Sequence, residues 1–514
     1  MRKLPLILIA ICTVAATALP LASPASAGAR PTLPVPRFVP TTCPTEPVAT
    51  TLPKDARCGF LVVPENRAEP GGPTIDLTVG IVPAVSAHPA PDPVVYLAGG
   101  PGGFPLGEAQ SLIAAGFNRD RELILLSQRG TLYGPPNPAP VCPEADKAFI
   151  ATLGLPLDGS AAIALNVAAA RGCYQRLVAA GADLGAYNTT ENAADVADLR
   201  VALGIREWDV FGTSYGTNLA MTYMREYPQG IRSVTLDSVE PPEVVAANLF
   251  APNAREGFDS LFQACAEQPQ CGPGIERTFT DLVRRLEAHP VTTRVEPPAG
   301  GAAVKLVLDG GRLVNWLIEE SFNTADYRNV PAMIAKLAHG DPGPIATEVA
   351  ARVIGSGVGI IGAGLALGVG CAEWIPYMTG TILSAGRLAF PAYPDSVLAP
   401  ALHVTYLPQQ CGVWNVPVAP AALRAATPST IPTLMLAGTF DAVTPVSWEQ
   451  IAARTLTNST VLQFTGIGHT VTLSSPCGQQ VFASFLATPN APDTACVAKL
   501  RPPTFVPAPT PGPK

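Results

Sequence analysis

Histidine and charged residues are scarce in this chain, and the motif C-x-x-C is absent. Only five of the 514 residues are histidine, and charged residues make up 14%. The formal net charge is -7 and no Lys/Arg-rich run occurs, which disfavours nucleic-acid binding because nothing would attract a phosphate backbone. No two cysteines have C-x-x-C spacing, so zinc is not expected, and neither is an organic cofactor. What remains is a 47% hydrophobic chain, long enough for a large core and two or three domain-sized units.

The N-terminus has the pattern of a secretory signal. Arg2 and Lys3 precede an apolar stretch over 4–21, and Ala25-Ser26-Ala27 offers a small-x-small cleavage site. We therefore predict a cleaved signal peptide over 1–27 and a secreted protein without stable membrane insertion. The alternative is a membrane anchor helix, which the proline near the end of the stretch and the cleavage-like site disfavour.

The cysteines support an exported protein. Removal of the signal peptide leaves ten cysteines, and an even number in an exported chain suggests disulfides. Sequence alone leaves their connectivity open. Pairing of nearest neighbours predicts five bonds: Cys43–Cys58, Cys142–Cys173, Cys265–Cys271, Cys371–Cys411 and Cys477–Cys496.

Apolar runs and turn residues predict an α/β protein with a mainly parallel sheet, flanking helices and an inserted helical cap. Strand-like and helix-like segments alternate from about 94 to 238, a pattern typical of parallel sheets. The alternation stops after that and returns with strand-like runs at 433–437 and 460–464. The predicted parts are a signal peptide (1–27), an extended segment (28–55), the first part of the core (56–239), a cap or lid (240–415), the second part of the core (416–500) and a Pro-rich disordered tail (501–514).

An uncharged, glycine-rich stretch runs from Val353 to Gly370. Its length is compatible with a membrane span, but its glycines and the adjacent Cys371 favour a buried packing segment. Within it, residues 357–362 match G-x-G-x-x-G. No convincing strand precedes this motif and no ribose-binding acid follows, so we expect close packing and not a dinucleotide site.

The most informative motif is Gly212-Thr213-Ser214-Tyr215-Gly216. It lies between a strand-like run at 208–211 and a helix-like run at 218–227. A sharp strand-to-helix turn requires small flanking residues and lifts its central side chain towards a substrate. The motif therefore predicts Ser214 as a nucleophile.

A serine nucleophile needs an imidazole base and an acid that orients it. Among the five histidines, His469 is favoured because it follows the last predicted strand in a glycine-rich loop. Asp441 is the favoured acid, since it follows the strand-like run 433–437 and precedes the histidine, as in the chain order Ser…Asp…His. Asp237, at the end of an earlier predicted strand, is the rival.

An oxyanion hole requires two donors aimed at the developing charge. We expect one from the backbone N–H of Tyr215, which directly follows the nucleophile, and one from the glycine loop 99–103. Gly100 is the chosen donor there, because its missing side chain permits close approach.

These segments together resemble the α/β-hydrolase superfamily and, more narrowly, the secreted prolyl/tripeptidyl aminopeptidase family of serine exopeptidases. The resemblance covers roughly residues 55 to 500. It rests on Gly99-Gly-Pro-Gly-Gly103, Gln128-Arg-Gly-Thr131, the run from Tyr187 to Gly204, Gly212 to Gly216, Gly438-Thr-Phe-Asp441 with Thr444-Pro445, and Gly468-His469.

The resemblance implies cleavage from a free peptide N-terminus. Recognition of the terminal ammonium calls for a carboxylate in or below the cap. Glu373 is the first candidate and Glu240 the second, with a solvated surface acid as the alternative for each. Trp374 is a candidate pocket wall, although a buried core tryptophan is the more common fate.

Three other functions were considered as alternatives. An esterase or lipase would use the same triad on carboxylic esters, so the predicted partner is a peptide or a small ester. A binding protein on an inactive hydrolase scaffold is disfavoured, because every expected catalytic part is present. A dehalogenase requires a carboxylate at the position of Ser214, so the serine argues against that function.

Overall fold

The computed structural model describes residues 35–45, 52–132, 142–271, 274–296, 302–355, 362–399 and 405–507. The predicted signal peptide, residues 28–34 and 46–51 of the extended segment 28–55, and His403 lie outside the described residues. Two parts of that extended segment are described, and one of them contains a strand.

The described strands form one large sheet and one small one. Nine strands pair in the order β1-β2-β3-β5-β4-β6-β7-β10-β11, and β8 pairs with β9. The pairings β1–β2, β2–β3 and β3–β5 are antiparallel, while all pairings from β5 to β11 along the sheet are parallel. The strands are β1 Arg37–Thr41, β2 Arg57–Pro64, β3 Thr74–Val82, β4 Val94–Leu97, β5 Leu123–Leu126, β6 Trp208–Thr213, β7 Ile231–Asp237, β8 Val291–Val295, β9 Val304–Leu308, β10 Thr433–Gly438 and β11 Ser459–Phe464.

Helices connect and cover these strands. The predicted mainly parallel sheet with flanking helices is confirmed. The α-helices are α1 Pro105–Ala114, α2 Pro143–Thr152, α3 Ser160–Ala179, α4 Thr189–Ala202, α5 Tyr215–Glu226, α6 Phe250–Ala266, α7 Ile275–Ala288, α8 Gly310–Glu319, α9 Val330–Ala338, α10 Gly343–Gly355, α11 Ala363–Val369, α12 Ile382–Ala389, α13 Asp395–Leu398, α14 Leu407–Cys411, α15 Val446–Ala453, α16 Val471–Ser474 and α17 Pro476–Ala487.

Both faces of the central strands are buried, which explains their continuous apolar runs. In β4, Tyr96 packs into the cluster that contains α1 and α17, and Val95 packs into the cluster that contains α4 and α5. Successive side chains of a strand point to opposite faces, so these helices cover opposite sides of the sheet. The sheet is thereby held rigidly between two apolar layers.

The chain between β7 and β10 is mostly helical. It contains α6 to α14 together with the antiparallel pair β8–β9, which was not predicted. The boundaries 240–415 for a cap stay a prediction. None of the helices in the described ranges combines the length and apolar character needed to cross a lipid bilayer.

The glycine-rich stretch 353–370 contributes the end of α10 and all of α11, while residues 356–361 lie outside the described part. Gly362 supports the packing interpretation of the G-x-G-x-x-G motif. A Cβ added to it would lie 2.5 Å from the carbonyl oxygen of Gly130. Only glycine permits this approach.

The prediction of a disordered tail from 501 is wrong for residues 501–507. Phe505 is buried at 1% exposure, and its N–H donates a hydrogen bond to the side chain of Gln268 at 3.2 Å. Val506 N–H donates to the carbonyl of Arg328 at 2.8 Å. One aromatic side chain with a pocket to fill outweighs the proline content, which had suggested disorder.

All five predicted disulfides are present. The bonds are Cys43–Cys58, Cys142–Cys173, Cys265–Cys271, Cys371–Cys411 and Cys477–Cys496. Disulfides of this number fit an extracellular protein, since reducing compartments keep thiols free.

Candidate active site

Ser214 lies at a strained turn between β6 and α5. Its φ of 55° and ψ of -129° are rare for a residue with a side chain. A Cβ at Gly212 would lie 2.3 Å from the Gly216 carbonyl oxygen, and one at Gly216 would lie 2.0 Å from that of Leu97. Both flanking glycines of the motif are therefore required by packing. A hydrogen bond from the Ser214 N–H to the Asp237 carbonyl at 3.0 Å holds the turn in place.

His469 and Asp441 form a buried hydrogen-bonded pair. Nδ1 of His469 lies 2.7 Å from Oδ2 of Asp441, and both side chains are 1% exposed or less. The carboxylate accepts this bond, so the proton lies on Nδ1 and the lone pair on Nε2. Nε2 is buried and has no hydrogen-bond partner among the described residues. This arrangement suits an imidazole that takes a proton through Nε2.

Asp441 is fixed by further hydrogen bonds. Its Oδ1 accepts from the N–H groups of Val443 at 2.8 Å and Thr444 at 3.0 Å, and its Oδ2 accepts from the Thr444 hydroxyl at 2.7 Å. Burial alone would raise the pKa of this carboxyl, but His469 and these donors outweigh burial and hold the pKa below its ordinary value. Asp441 therefore stays ionised beside the imidazole.

Asp237, the rival acid, has a different set of partners. Its carboxylate accepts from the N–H groups of Val471 at 2.8 Å and Thr472 at 2.7 Å, which begin the short helix α16 directly after the histidine loop. The hydroxyl of the next residue, Ser238, accepts from Thr470 N–H at 2.8 Å. Asp237 thus links the serine turn to the histidine loop, and its carboxylate is occupied by backbone donors.

The glycine loop after β4 lies against the serine. A Cβ at Gly99 would lie 2.7 Å from the Cβ of Ser214, so no larger residue fits there without movement. Gly100 has a φ of 112°, which favours glycine. The side chain of Gln128 donates to the Ala98 carbonyl at 2.9 Å and braces this loop. The oxyanion roles of Gly100 and the Tyr215 N–H stay predictions.

Glu373 and Glu240 are buried next to each other, at 5% and 4% exposure, so neither is a solvated surface acid. Both oxygens of Glu373 accept from Thr189, at 2.8 Å from its N–H and 2.7 Å from its hydroxyl. The Thr189 hydroxyl also contacts the Tyr215 hydroxyl at 2.8 Å. In Glu240, Oε1 is buried without a hydrogen-bond partner in the described part of the chain.

The two carboxyls have raised pKa values. Burial raises the pKa of Glu373 to about 7, against the hydrogen bonds from Thr189. Burial, followed by the neighbouring charge of Glu373, raises the pKa of Glu240 to about 8. The roles of Glu373, Glu240 and Trp374 in binding a substrate stay predictions.

Trp374 is 8% exposed and belongs to the main apolar core, in line with the alternative of a core tryptophan. Sequence reasoning gave no role to Thr444, Ser321 or Phe322, which contact the acid and base. Thr444 had a signal, because it follows Asp441 by three residues, a spacing that allows a side chain to bond its own turn. Ser321 and Phe322 come from the region assigned to the cap and had none.

The fold is an α/β-hydrolase fold, in which Ser214, Asp441 and His469 follow the carboxyl ends of β6, β10 and β11. The family model for TAP-like protein matches residues 400–497, which carry Asp441 and His469. The chain is thus similar to tripeptidyl-aminopeptidase-like proteins over these residues, as the resemblance predicted.

Characterised relatives match over part of their length. The chain is 30% identical to a tripeptidyl aminopeptidase of Streptomyces coelicolor over 203 residues, 37% of this chain and 36% of the relative. It is 29% identical to the serine protease Hip1 of Mycobacterium tuberculosis over 124 residues, 23% of this chain and 24% of the relative. The chain therefore matches roughly a third or less of these relatives' lengths. Among solved structures, proline iminopeptidase of Mycobacterium smegmatis matches with a TM-score of 0.38 and 17% identity, over 84% of this chain and 98% of that chain.

Proposed function

We propose that this protein is a secreted serine aminopeptidase that cleaves peptides from a free N-terminus through an acyl-enzyme. The observation that carries the proposal is the buried His469–Asp441 pair at 2.7 Å, with a free Nε2, on a sheet whose serine turn holds Ser214 in a strained conformation. Acyl transfer requires an accessible serine hydroxyl and an oriented imidazole that can take its proton.

In the proposed reaction, Ser214 Oγ attacks the scissile carbonyl while Nε2 of His469 takes its proton. The Asp441 carboxylate stabilises the imidazolium that forms. The N–H groups of Gly100 and Tyr215 hold the oxyanion, and Tyr215 N–H is well suited because it begins α5, where backbone donors lack partners within the helix. His469 then protonates the leaving amine, and water reverses these steps to release the acid.

The proposed specificity for a free peptide N-terminus rests on Glu240 and Glu373, which we call the acid pair. A free peptide N-terminus carries an ammonium group at neutral pH, and the buried Glu240 and Glu373 carry up to two negative charges with one unpartnered oxygen. An ammonium between them would satisfy that oxygen and compensate their charge. Blocking the N-terminus removes this charge, so blocked peptides should bind poorly. The segment between β7 and β10, which contains Glu373, would then form the proposed cap over the substrate.

Two measurements test the proposal. A fluorophosphonate probe should label the wild type, and Ser214→Ala should abolish labelling and lower turnover by about 10⁴- to 10⁶-fold, with an unchanged unfolding temperature. Peptide arylamides should be cleaved with a free N-terminus and resist cleavage when acetylated. Equal cleavage of both forms, or faster turnover of simple esters than of any free peptide, would favour the esterase alternative.

A further inference from the structure

A short turn from the segment between β7 and β10 contacts both the base and the residue that follows the acid. This 3-10 turn spans Glu320–Phe322 and follows α8 directly. The Ser321 carbonyl accepts from the His469 N–H at 2.6 Å, and the Ser321 hydroxyl accepts from the Ala442 N–H at 3.0 Å. A Cβ at Gly468 would lie 2.3 Å from the same carbonyl oxygen. The turn is therefore fixed tightly against the histidine loop.

The next residue, Phe322, lies against the imidazole. The two ring centroids are 4.7 Å apart and the planes meet at 68°, an edge-to-face contact. His469 is 1% exposed, whereas Phe322 is 45% exposed. The phenyl ring thus contacts the buried base and keeps part of its apolar surface exposed to solvent.

The reaction assigns the side of the substrate that passes this ring. Nε2 of His469 must approach the leaving nitrogen to protonate it, so the residue attached to that nitrogen lies next to the imidazole. In the proposed function the N-terminal end of the substrate lies at Glu240 and Glu373, and Thr189 of α4 bonds the second of these. The leaving residue lies next to the imidazole that the Phe322 ring contacts.

We propose that Phe322 forms the S1′ surface and selects substrates whose leaving residue is apolar. This inference rests on the proposed function, because it uses His469 as the proton donor. An apolar side chain such as leucine would cover the exposed part of the ring, and glycine would not. A contact of two or so methylene groups corresponds to about tenfold preference for leucine over glycine.

The test uses partitioning of the acyl-enzyme. An alanine methyl ester, free or N-acetylated, acylates Ser214 and releases methanol. Leucinamide or glycinamide then competes with water: the amine nitrogen attacks the ester carbonyl, His469 accepts its proton and returns it to Ser214 Oγ, and an alanyl-amino acid amide is released. Mass spectrometry of the dipeptide amide and the free acid gives the partition ratio for each nucleophile.

The wild type should favour leucinamide over glycinamide by about tenfold, and Phe322→Ala should reduce this preference to less than about threefold, whatever its effect on the rate of hydrolysis by water. Phe322→Leu should keep most of the preference. Phe149→Ala is the matched control, since Phe149 on α2 is also 45% exposed.

An unchanged leucine preference in Phe322→Ala would overturn the proposal, as would an equal loss with water and both amines, which indicates a role in positioning His469 alone. A wild type without preference would also overturn it. The use of two esters separates the proposed function from the proposed role of Phe322. Equal reaction of the free and acetylated esters contradicts the aminopeptidase, while the partition ratio still decides the role of Phe322.

Discussion

Replacement of Glu240 by glutamine would test the recognition of a free N-terminus most directly. Glutamine keeps the shape of the side chain and removes its negative charge. Glu240 is 4% exposed, with Oε1 unpartnered among the described residues and Glu373 as its charged neighbour. The side chain thus has capacity for a cation that the surrounding residues do not fill.

The expected loss follows from one buried charge-assisted hydrogen bond, about 2–3 kcal/mol. Glu240→Gln should therefore lower kcat/KM for peptides with a free N-terminus by about 30- to 150-fold. Acetylated peptides and simple esters cannot make this bond, so their kcat/KM should remain within about threefold of the wild-type value. The ratio of the two substrate classes isolates the ammonium contact from any change at Ser214 or His469.

The pH dependence gives a second measure of the same group. The Glu240 pKa is about 8 in the folded protein and 4.5 ordinarily, so between these values the folded state binds more protons than the unfolded state. Its contribution to stability is thus favourable at low pH and is lost as pH rises through this window. Between pH 5 and 8 the wild type should lose about 3 kcal/mol that Glu240→Gln does not lose.

The assay compares kcat/KM for a free and an acetylated ester from pH 5.5 to 8.5, together with denaturant unfolding at pH 5 and 8. In the wild type, the ratio of free to acetylated ester should rise as the acid pair ionises and fall above about pH 7.7, where the α-amino group of the free ester loses its proton, and it should be lower throughout in Glu240→Gln. Glu243→Gln is the control, because Glu243 is three residues away and only half-buried. Parallel loss of activity on both esters, or an unchanged ratio, would refute ammonium recognition by Glu240.

Further substitutions test the acid assignment and the serine loop. Asp441→Asn should lower kcat by about 10³- to 10⁴-fold in a folded protein, whereas Asp237→Asn should cost about 2 kcal/mol of unfolding free energy and less than about tenfold in kcat. The reverse pattern would make Asp237 the catalytic acid. Gly99→Ala should slow fluorophosphonate labelling by about 100-fold, because its Cβ would lie 2.7 Å from that of Ser214. Gly380→Ala, with nothing within 4 Å of the added Cβ, should label at the normal rate, and equal rates in the two variants would contradict this reasoning.

Local signals carried much of the fold. The run 208–211 and the glycines around Ser214 predicted β6 and the turn after it, because apolar runs and steric requirements act over a few residues. The pair β8–β9 was missed, since β8 is exposed or half-buried at every position but its last and both strands lie within a region of helical pattern. Phe505 was missed because the benefit of burying one side chain depends on a pocket built by distant residues.

The residues of the candidate site also differ in whether a local sequence signal marks them. Ser214, Asp441 and His469 were each marked by the end of a strand and by neighbouring glycines or turn residues, which is information local to the chain. The partners of Glu240 and Glu373 had no local signal, because Thr189 bonds both oxygens of Glu373 from a distant helix, whereas Glu240 Oε1 has no partner among the described residues.

Ser321 is the clearest case of what local pattern does not contain. Its hydroxyl reaches Ala442 across 121 positions, and its carbonyl accepts from His469, so one residue outside the sheet holds the loops of both the acid and the base. Neither contact leaves a spacing or composition signal near Ser321. The same turn places Phe322 against the imidazole, which means that the element that orients the base also forms the surface beside the leaving group. Substitutions in this turn should therefore change the choice of substrate and the rate of reaction together, and only a measurement that compares several nucleophiles on one acyl-enzyme separates the two effects.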